Sequence, residues 1–311
     1  MDVGQLRYFT KIVEHRSFTK AAKHCLVSQP ALSQQIGKLE RELGQPLFER
    51  QGRTIRLTPA GQLLHRKAEK ILLLVEDAKR QVADDGETGQ ISMSAVASLA
   101  PYMLPVILGK VGQQFPQIDW DISEDSSAAL IKKVSDGDLD LGFLTTPVSS
   151  RYLHVEPLFE EVLYVALPAQ HRLAAQSTLQ IDDLCEEPFV MPSDEDGLAS
   201  TIEEFCNANN FQPQVSANVQ QLLTVQSLVA MEHGLSFVPA MATGLSMDGR
   251  IAYRKLTGDQ PKRSVAICWN PYRYQCQLQK NFIASVREFC EGFDFASGTE
   301  PSTAGSFPSP T

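Results

Sequence analysis

The stretch SFTKAAKHCLVSQPALSQQIGKLEREL, residues 17–43, decides the fold of the first part of the chain. Ser17 and Ser28 each stand where a hydroxyl can cap a helix start. Pro30 fits a first turn, where its missing N–H would have no partner. Behind Ser17 a short helix is predicted, with Phe18, Ala21, Ala22 and Cys25 inward. After Leu26 and Val27 comes a second helix, in which Leu32, Ile36, Leu39 and Leu43 recur at helical spacing. Gly44 ends it. The other face shows Pro30, Ser33, Gln34, Gly37, Lys38 and Arg41. Two short helices with a tight turn between them describe a helix-turn-helix. The first turns of its second helix would enter a DNA major groove, where Gln29, Ser33 and Gln34 can donate to and accept from base edges. The plainer alternative is a solvated helix face.

Working outward, Leu6, Phe9 and Val13 share one face of a preceding helix. Downstream, LFERQGRTIRL (47–57) reads as a hairpin with Gly52 in its turn. Arg50, Arg53 and Arg56 carry no interleaved acid, and a wing of that kind would meet phosphates. Arg50 has an alternative, an internal ion pair with Glu40 or Glu42. Thr58 and Pro59 then open a long helix. Leu64, Ala68, Ile71, Val75, Ala78 and Val82 repeat along it at coiled-coil spacing, which calls for a partner helix from a second copy. The alternative is docking on the chain's own C-terminal part.

Charge separates the two parts. The 311 residues have a net charge of -9, which argues against a generally basic nucleic-acid coat. Yet residues 1–67 hold twelve Lys/Arg against five Asp/Glu, and the remainder is correspondingly acidic. The six cysteines form no C-x-x-C pair, so neither a zinc site nor a disulfide framework is indicated. No run of about 18 apolar residues predicts a membrane span. The N-terminus lacks an apolar signal region, so a cytoplasmic location with reduced thiols is expected. No metal or cofactor is expected.

Residues 90–293 alternate strand-like and helix-like segments, as in a parallel-rich α/β fold. Strands are predicted from Ile91, over Ile118–Ile122 and over Asp140–Leu144. Helices are predicted over Tyr102–Phe115, Ala128–Val134 and Cys276–Cys290. Ligands of such sheets bind beyond strand carboxyl ends. A hydroxyl there, beside free backbone N–H groups, suits a small anion, and helix capping is the alternative for each serine. The acids at 194–196 favour instead a neutral or cationic ligand, or form an exposed turn. No phosphate-cradling Gly-rich loop, H-E-x-x-H or G-x-S-x-G motif supports an enzyme.

The head resembles the LysR-type transcriptional regulators. It carries L-R-Y-F at 6–9, S-F-T-K-A-A at 17–22, S-Q-P-A-L-S-Q-Q-I at 28–36, L-G-Q-P-L-F-E-R at 43–50 and L-T-P-A-G at 57–61. The resemblance runs from Leu6 to about Cys290. It implies a winged helix-turn-helix over 1–58 and a dimerising linker helix over 59–88. It also implies a two-lobed α/β effector domain over 89–293, similar to type 2 periplasmic binding proteins. The lobes would be about 89–165 with 268–293, and 166–267, followed by a disordered tail, 294–311. The implied partners are double-stranded operator DNA with dyad symmetry, a small-molecule effector, a homodimer or homotetramer and RNA polymerase. The implied DNA-contacting residues are Gln29, Pro30, Ser33, Gln34 and Arg53, and the charge of the same surface adds Lys38, Arg50 and Arg56 as candidates. Effector-binding candidates are Ser98, Leu99, Ser127, Ser193, Asp194 and Pro239. Glu195-Asp196-Gly197 with Phe205-Cys206 looks like the redox loop of peroxide-sensing members, which makes a thiol-responsive regulator the alternative. Cys206 matches that loop's resolving cysteine, and its reactive position is absent here.

Overall fold

The computed structural model describes residues 1–51, 54–84, 88–193, 197–244 and 249–295. Arg53, Asp194 and the tail from Ala296 lie outside the described residues, as does the side chain of Arg50. The chain divides into two compact units between Ala83 and Asp84.

The first unit holds α1 (Val3–His15), α2 (Phe18–His24), α3 (Gln29–Leu43), the hairpin β1 (Phe48–Gln51) and β2 (Thr54–Leu57), and α4 (Pro59–Ala83). Asp2 and Gln5 form a capping box at α1, and Ser17 and Ser28 cap α2 and α3. Gly44 closes α3 at φ 66°, a left-handed position that favours glycine. Leu6, Phe9 and Ile12 of α1 pack with Ala21 and Ala22 of α2 and Leu32, Ile36 and Leu39 of α3. Burying each of the larger side chains stabilises by about 1.5–3 kcal/mol. Cys25 and Leu43 extend less far inward than their spacing suggests. Cys25 is half-buried at the α2 terminus and Leu43 is exposed beside the Gly44 cap. The hairpin is antiparallel, with Phe48 opposite Leu57 and Glu49 opposite Arg56. Thr58 anchors α4. Its hydroxyl donates to the Pro46 carbonyl and accepts from Gly61 N–H.

The second unit has a curled mixed sheet. Its strands are β3 (Gly89–Val96), β4 (Ile118–Asp125), β5 (Leu141–Thr146), β6 (His154–Pro168), β7 (Thr178–Leu179), β10 (Ser236–Pro239), β11 (Ile251–Leu256) and β12 (Lys262–Trp269). The order is β4-β3-β5-β12-β6-β11-β7, with β10 paired to β6. A separate parallel pair is β8 (Pro188–Pro192) and β9 (Gln214–Val219). The helices are α5 (Ala100–Lys110), α6 (Ser127–Asp136), α7 (Leu198–Ala208), α8 (Leu222–Ala230) and α9 (Gln277–Gly292). Only part of the sheet is parallel. β3 pairs parallel with β4 and β5, whereas β12 is antiparallel to β5 and β6.

The long strand β6 makes the two lobes. Its first half pairs with β12, and its second half with β10 and β11. All of β12, from Lys262 on, pairs with β5 or with the first half of β6. Phe143, Met93 and Ile267 fill the first lobe, and Phe189, Phe237 and Val225 the second.

Candidate functional site

In the first unit the candidate surface is built on α3. Ser28 Oγ accepts from Ala31 N–H and fixes the helix start. Gln29, Pro30, Gln34 and Lys38 are exposed, and Ser33 is half-buried. Gln29 Nε2 donates to Ser33 Oγ at 2.8 Å, so one turn of the helix presents an ordered amide–hydroxyl pair. The first turn carries no acid, which leaves its partial positive charge free to meet a phosphate. Arg56 is exposed on β2. The two acids that sequence offers as internal partners for Arg50, whose own side chain lies outside the described residues, each have another partner as well. Glu40 Oε1 accepts from the Leu47 and Phe48 amides, and Glu42 pairs with the chain's amino terminus.

The seam of α4 divides along its length. Ala68 is fully buried in the core of the first unit, with Leu64 and Ile71 packed against it. Leu64, Ile71 and Val75 are only half-buried, Ala78 is exposed and Val82 is 90% exposed, so of the seam Ala68 alone is fully buried within one chain.

In the second unit the effector candidates separate sharply. Ser98 is buried, its Oγ accepting from Arg263 Nη1 at 2.7 Å. Leu99 belongs to the hydrophobic core, at the start of α5. Pro239 is buried at the end of β10, opposite Leu163. These three are packed and bonded inside the unit and line no described cavity. Ser193 is half-buried, and its N–H donates to the Val219 carbonyl. Ser127 opens onto a cavity, and it can do so because its neighbour Ser126 caps α6.

That cavity has a volume of about 350 Å³. From the first lobe it takes Ser127 and Ile131 of α6 and the run Thr145, Thr146, Pro147 and Val148. From the second it takes Gly197, Ser200, Thr201 and Glu204. Two helix N-termini therefore reach it, those of α6 and α7. Gly197, at φ 80°, precedes α7 and supplies no side-chain cap. A Cβ there would lie 3.2 Å from Thr145 Oγ1, so glycine lets the lobes meet closely. Five hydroxyl-bearing residues and apolar residues line the space, the Thr201 hydroxyl donating to the Gly197 carbonyl, and Glu204 is the charged residue among its described walls. Sequence reasoning found Ser127 and missed the rest. The run Thr145-Thr146-Pro147 directly after a strand, and Ser200-Thr201 just after Gly197, are the signals that could have found them.

Cys206 faces the second-lobe core from α7. Burial, with Glu203 nearby, pushes its thiol up to about 11. At neutral pH such a thiol stays protonated, and the thiolate is the form that reacts. Cys185 is exposed. Among the described residues no cluster of His, Cys, Asp and Glu could hold a metal ion, and no helix is long and apolar enough to cross a membrane.

Comparison with known proteins identifies the family of each unit. Residues 3–62 match the family described as bacterial regulatory helix-turn-helix protein, lysR family. Residues 84–291 match the LysR substrate binding domain. The chain is 31% identical over 275 residues to the DNA-binding transcriptional dual regulator OxyR of Escherichia coli, covering 87% of this chain and 90% of that one. It resembles the structure of a full-length OxyR variant from Pseudomonas aeruginosa, with TM-score 0.73, 25% identity and coverage of 97% and 99%. It also shares its fold with full-length CbnR in complex with its target DNA, with TM-score 0.67, 23% identity and coverage of 93% and 99%.

Proposed function

The chain belongs to the LysR family of transcriptional regulators, and from that premise we propose that it is a cytoplasmic, non-enzymatic regulator answering to a small anion. It binds an operator with dyad symmetry as a homo-oligomer, through α3 and the β1–β2 wing. Gln29, Ser33 and Gln34 read bases, while Lys38, Arg50, Arg53 and Arg56 meet phosphates. Ala78 and Val82 contribute to the dimer contact.

The observation that carries the effector assignment is the cavity between the lobes. Hydroxyls and two helix N-termini converge there from opposite sides. Such donors favour a carboxylate or similar anion, and they have to outweigh the repulsion of the Glu204 carboxylate in the same wall. Ile131, Pro147 and Val148 give it an apolar companion surface. A ligand touching both lobes binds their closed arrangement better than any other and shifts the population toward it. A coupling of about 1–3 kcal/mol between that shift and DNA binding suffices for regulation.

A second reading is favoured by the names of the relatives, several of which are hydrogen peroxide-inducible genes activators. It requires a reactive thiol. The burial of Cys206 and its raised pKa argue against that role.

Thermal unfolding of the full chain tests both. The ligands are a panel of small mono- and dicarboxylates, with amines and peroxide as separate arms. A carboxylate present at 100 times its dissociation constant is expected to add about 2.7 kcal/mol, and Ser127→Ala to reduce that gain. Absence of any carboxylate shift overturns the anion assignment. A peroxide-dependent shift that disappears in Cys206→Ser installs the thiol reading instead.

A further inference from the structure

We propose that Arg263 and Glu161 are positioning residues whose buried ion pair sets the angle between the two lobes. The inference concerns the lobes themselves and stands apart from the ligand's identity. Arg263 Nε donates to Glu161 Oε1 at 2.6 Å. Nη2 lies 2.6 Å from the same Glu161 oxygen and also donates to the Ser98 carbonyl at 3.3 Å, while Nη1 donates to Ser98 Oγ in the first lobe at 2.7 Å. The other carboxylate oxygen, Glu161 Oε2, accepts from the Met241 N–H at 3.1 Å, in the short turn that follows β10 in the second lobe. Four residues thus form one chain of directional bonds from Ser98 to Met241.

Its position is the second observation. Glu161 and Arg263 are cross-strand partners on β6 and β12. Two residues further along β6, Leu163 pairs with Pro239 of β10. The ion pair therefore sits where β6 changes from first-lobe to second-lobe partners. β6 is thus one of the two strand connections between the lobes, with β11 to β12 the other, and the pair joins both.

A neutral connector reaches the same turn. Tyr102 of α5 donates through its hydroxyl to Gln226 Oε1 of α8 at 3.4 Å. Gln226 Nε2 donates to the Ala242 carbonyl at 2.9 Å and to Tyr253 Oη at 2.8 Å. Met241 N–H and Ala242 C=O belong to consecutive residues, so the first lobe grips one turn of the second through a charged link and a neutral one.

Stability alone does not call for this arrangement. Apolar residues of similar volume often replace a buried ion pair without loss of stability, because they avoid the desolvation of two charges. What apolar contacts lack is direction. The planar guanidinium fork accepts few geometries, and so selects one arrangement of Ser98, Glu161 and Met241 from many that would pack equally well.

The test uses the full chain. Spin labels carried on p-acetylphenylalanine replace the exposed Asp119 of β4 and Gln214 of β9, one in each lobe. The labelled chain is diluted with unlabelled chain, and pulsed dipolar spectroscopy reads the distance distribution. The parent chain is expected to give one narrow distribution. Arg263→Met combined with Glu161→Leu is expected to keep the thermal midpoint within a few degrees and to broaden or shift the distribution by several ångströms. Should that pair of changes fail to fold, Arg263→Lys is the second variant. It keeps the charge beside Glu161 and loses the fork that reaches Ser98, so it too is expected to broaden the distribution. An unchanged distribution in the folded variant, even with a lowered midpoint, overturns the proposal and leaves the pair a purely structural role.

Discussion

In the first unit Gln29, Pro30 and Gln34 stand exposed on one helix, whereas in the second Ser98, Leu99 and Pro239 lie buried at the ends of strands. Both sets were chosen from sequence as contact residues. The difference is one of range. An amphipathic helix of fifteen residues fixes by its own period which side faces out. A strand end faces a ligand only if nothing else in the fold reaches it first. For Ser98 something does, and it arrives from 165 residues away.

Two glycine substitutions break the comparison hardest. A Cβ on Gly61 would run into the Leu47 carbonyl and sit 2.9 Å from Leu57 Cδ2. Backbone cannot step aside as a side chain can, so Gly61→Ala forces the first turn of α4 off the hairpin. A cost of about 3 kcal/mol is expected, at the upper end for overpacking. Both tryptophans, Trp120 and Trp269, lie in the second unit. Their fluorescence midpoint is expected to stay put in Gly61→Ala while DNA binding is lost. Gly142→Ala is the mirror case. Its Cβ would lie 2.5 Å from Leu130 Cδ2 and 2.9 Å from Cys268 Sγ, so the tryptophan midpoint falls. A tryptophan midpoint that drops equally in both variants would show the two units unfolding as one.

Legibility followed the same division. The caps at Ser17, Ser28 and Gly44, the hairpin and the long helix were all readable, because each depends on neighbours within a few residues. The first three strands of the second unit, β3, β4 and β5, were readable to within a few positions, whereas β7, β8, β9 and β11 were not. α6 begins at Ser127 instead of Ala128, and β4 runs on to Asp125. The antiparallel return of β12 was not readable as such, since β-pairing leaves no local mark of its direction. Nor was the pairing of Glu161 with Arg263, two charges in strands about 100 residues apart. The cavity was half legible for the same reason. Ser127 follows a strand in a predictable place, whereas Thr201 becomes its neighbour only when the lobes meet.

Gln29→Ala sharpens the comparison at the exposed end. If Gln29 reads a base edge, its loss removes about 1–3 kcal/mol of discrimination. The quantity to measure is the ratio of dissociation constants for operator and random DNA at one salt concentration. Ser33→Ala is expected to act in the same direction and more weakly, since Ser33 orders the Gln29 amide through its 2.8 Å bond. A ratio unchanged in both variants would return this helix face to a solvated surface.

The smallest effect is expected at Arg56, and its sign of origin can be separated. Arg56 is exposed on β2, yet it also lines a groove with Ile12, Val13, Arg16 and Phe48, so its loss can act through packing of the stem as well as through charge. A phosphate contact releases counterions, and Arg56→Ala should then reduce the slope of log affinity against log salt by about 1, equally for operator and random DNA. Arg56→Met restores the apolar stem without the charge. If the stem is what matters, Arg56→Met recovers both affinity and slope. If the phosphate is what matters, Arg56→Met stays as weak as Arg56→Ala, and Arg56→Lys recovers the slope. The two residues that look alike on the wing and in the hinge, Arg56 and Arg263, would then differ as their surroundings dictate. One works through a charge that salt can screen, the other through a buried geometry that salt does not reach.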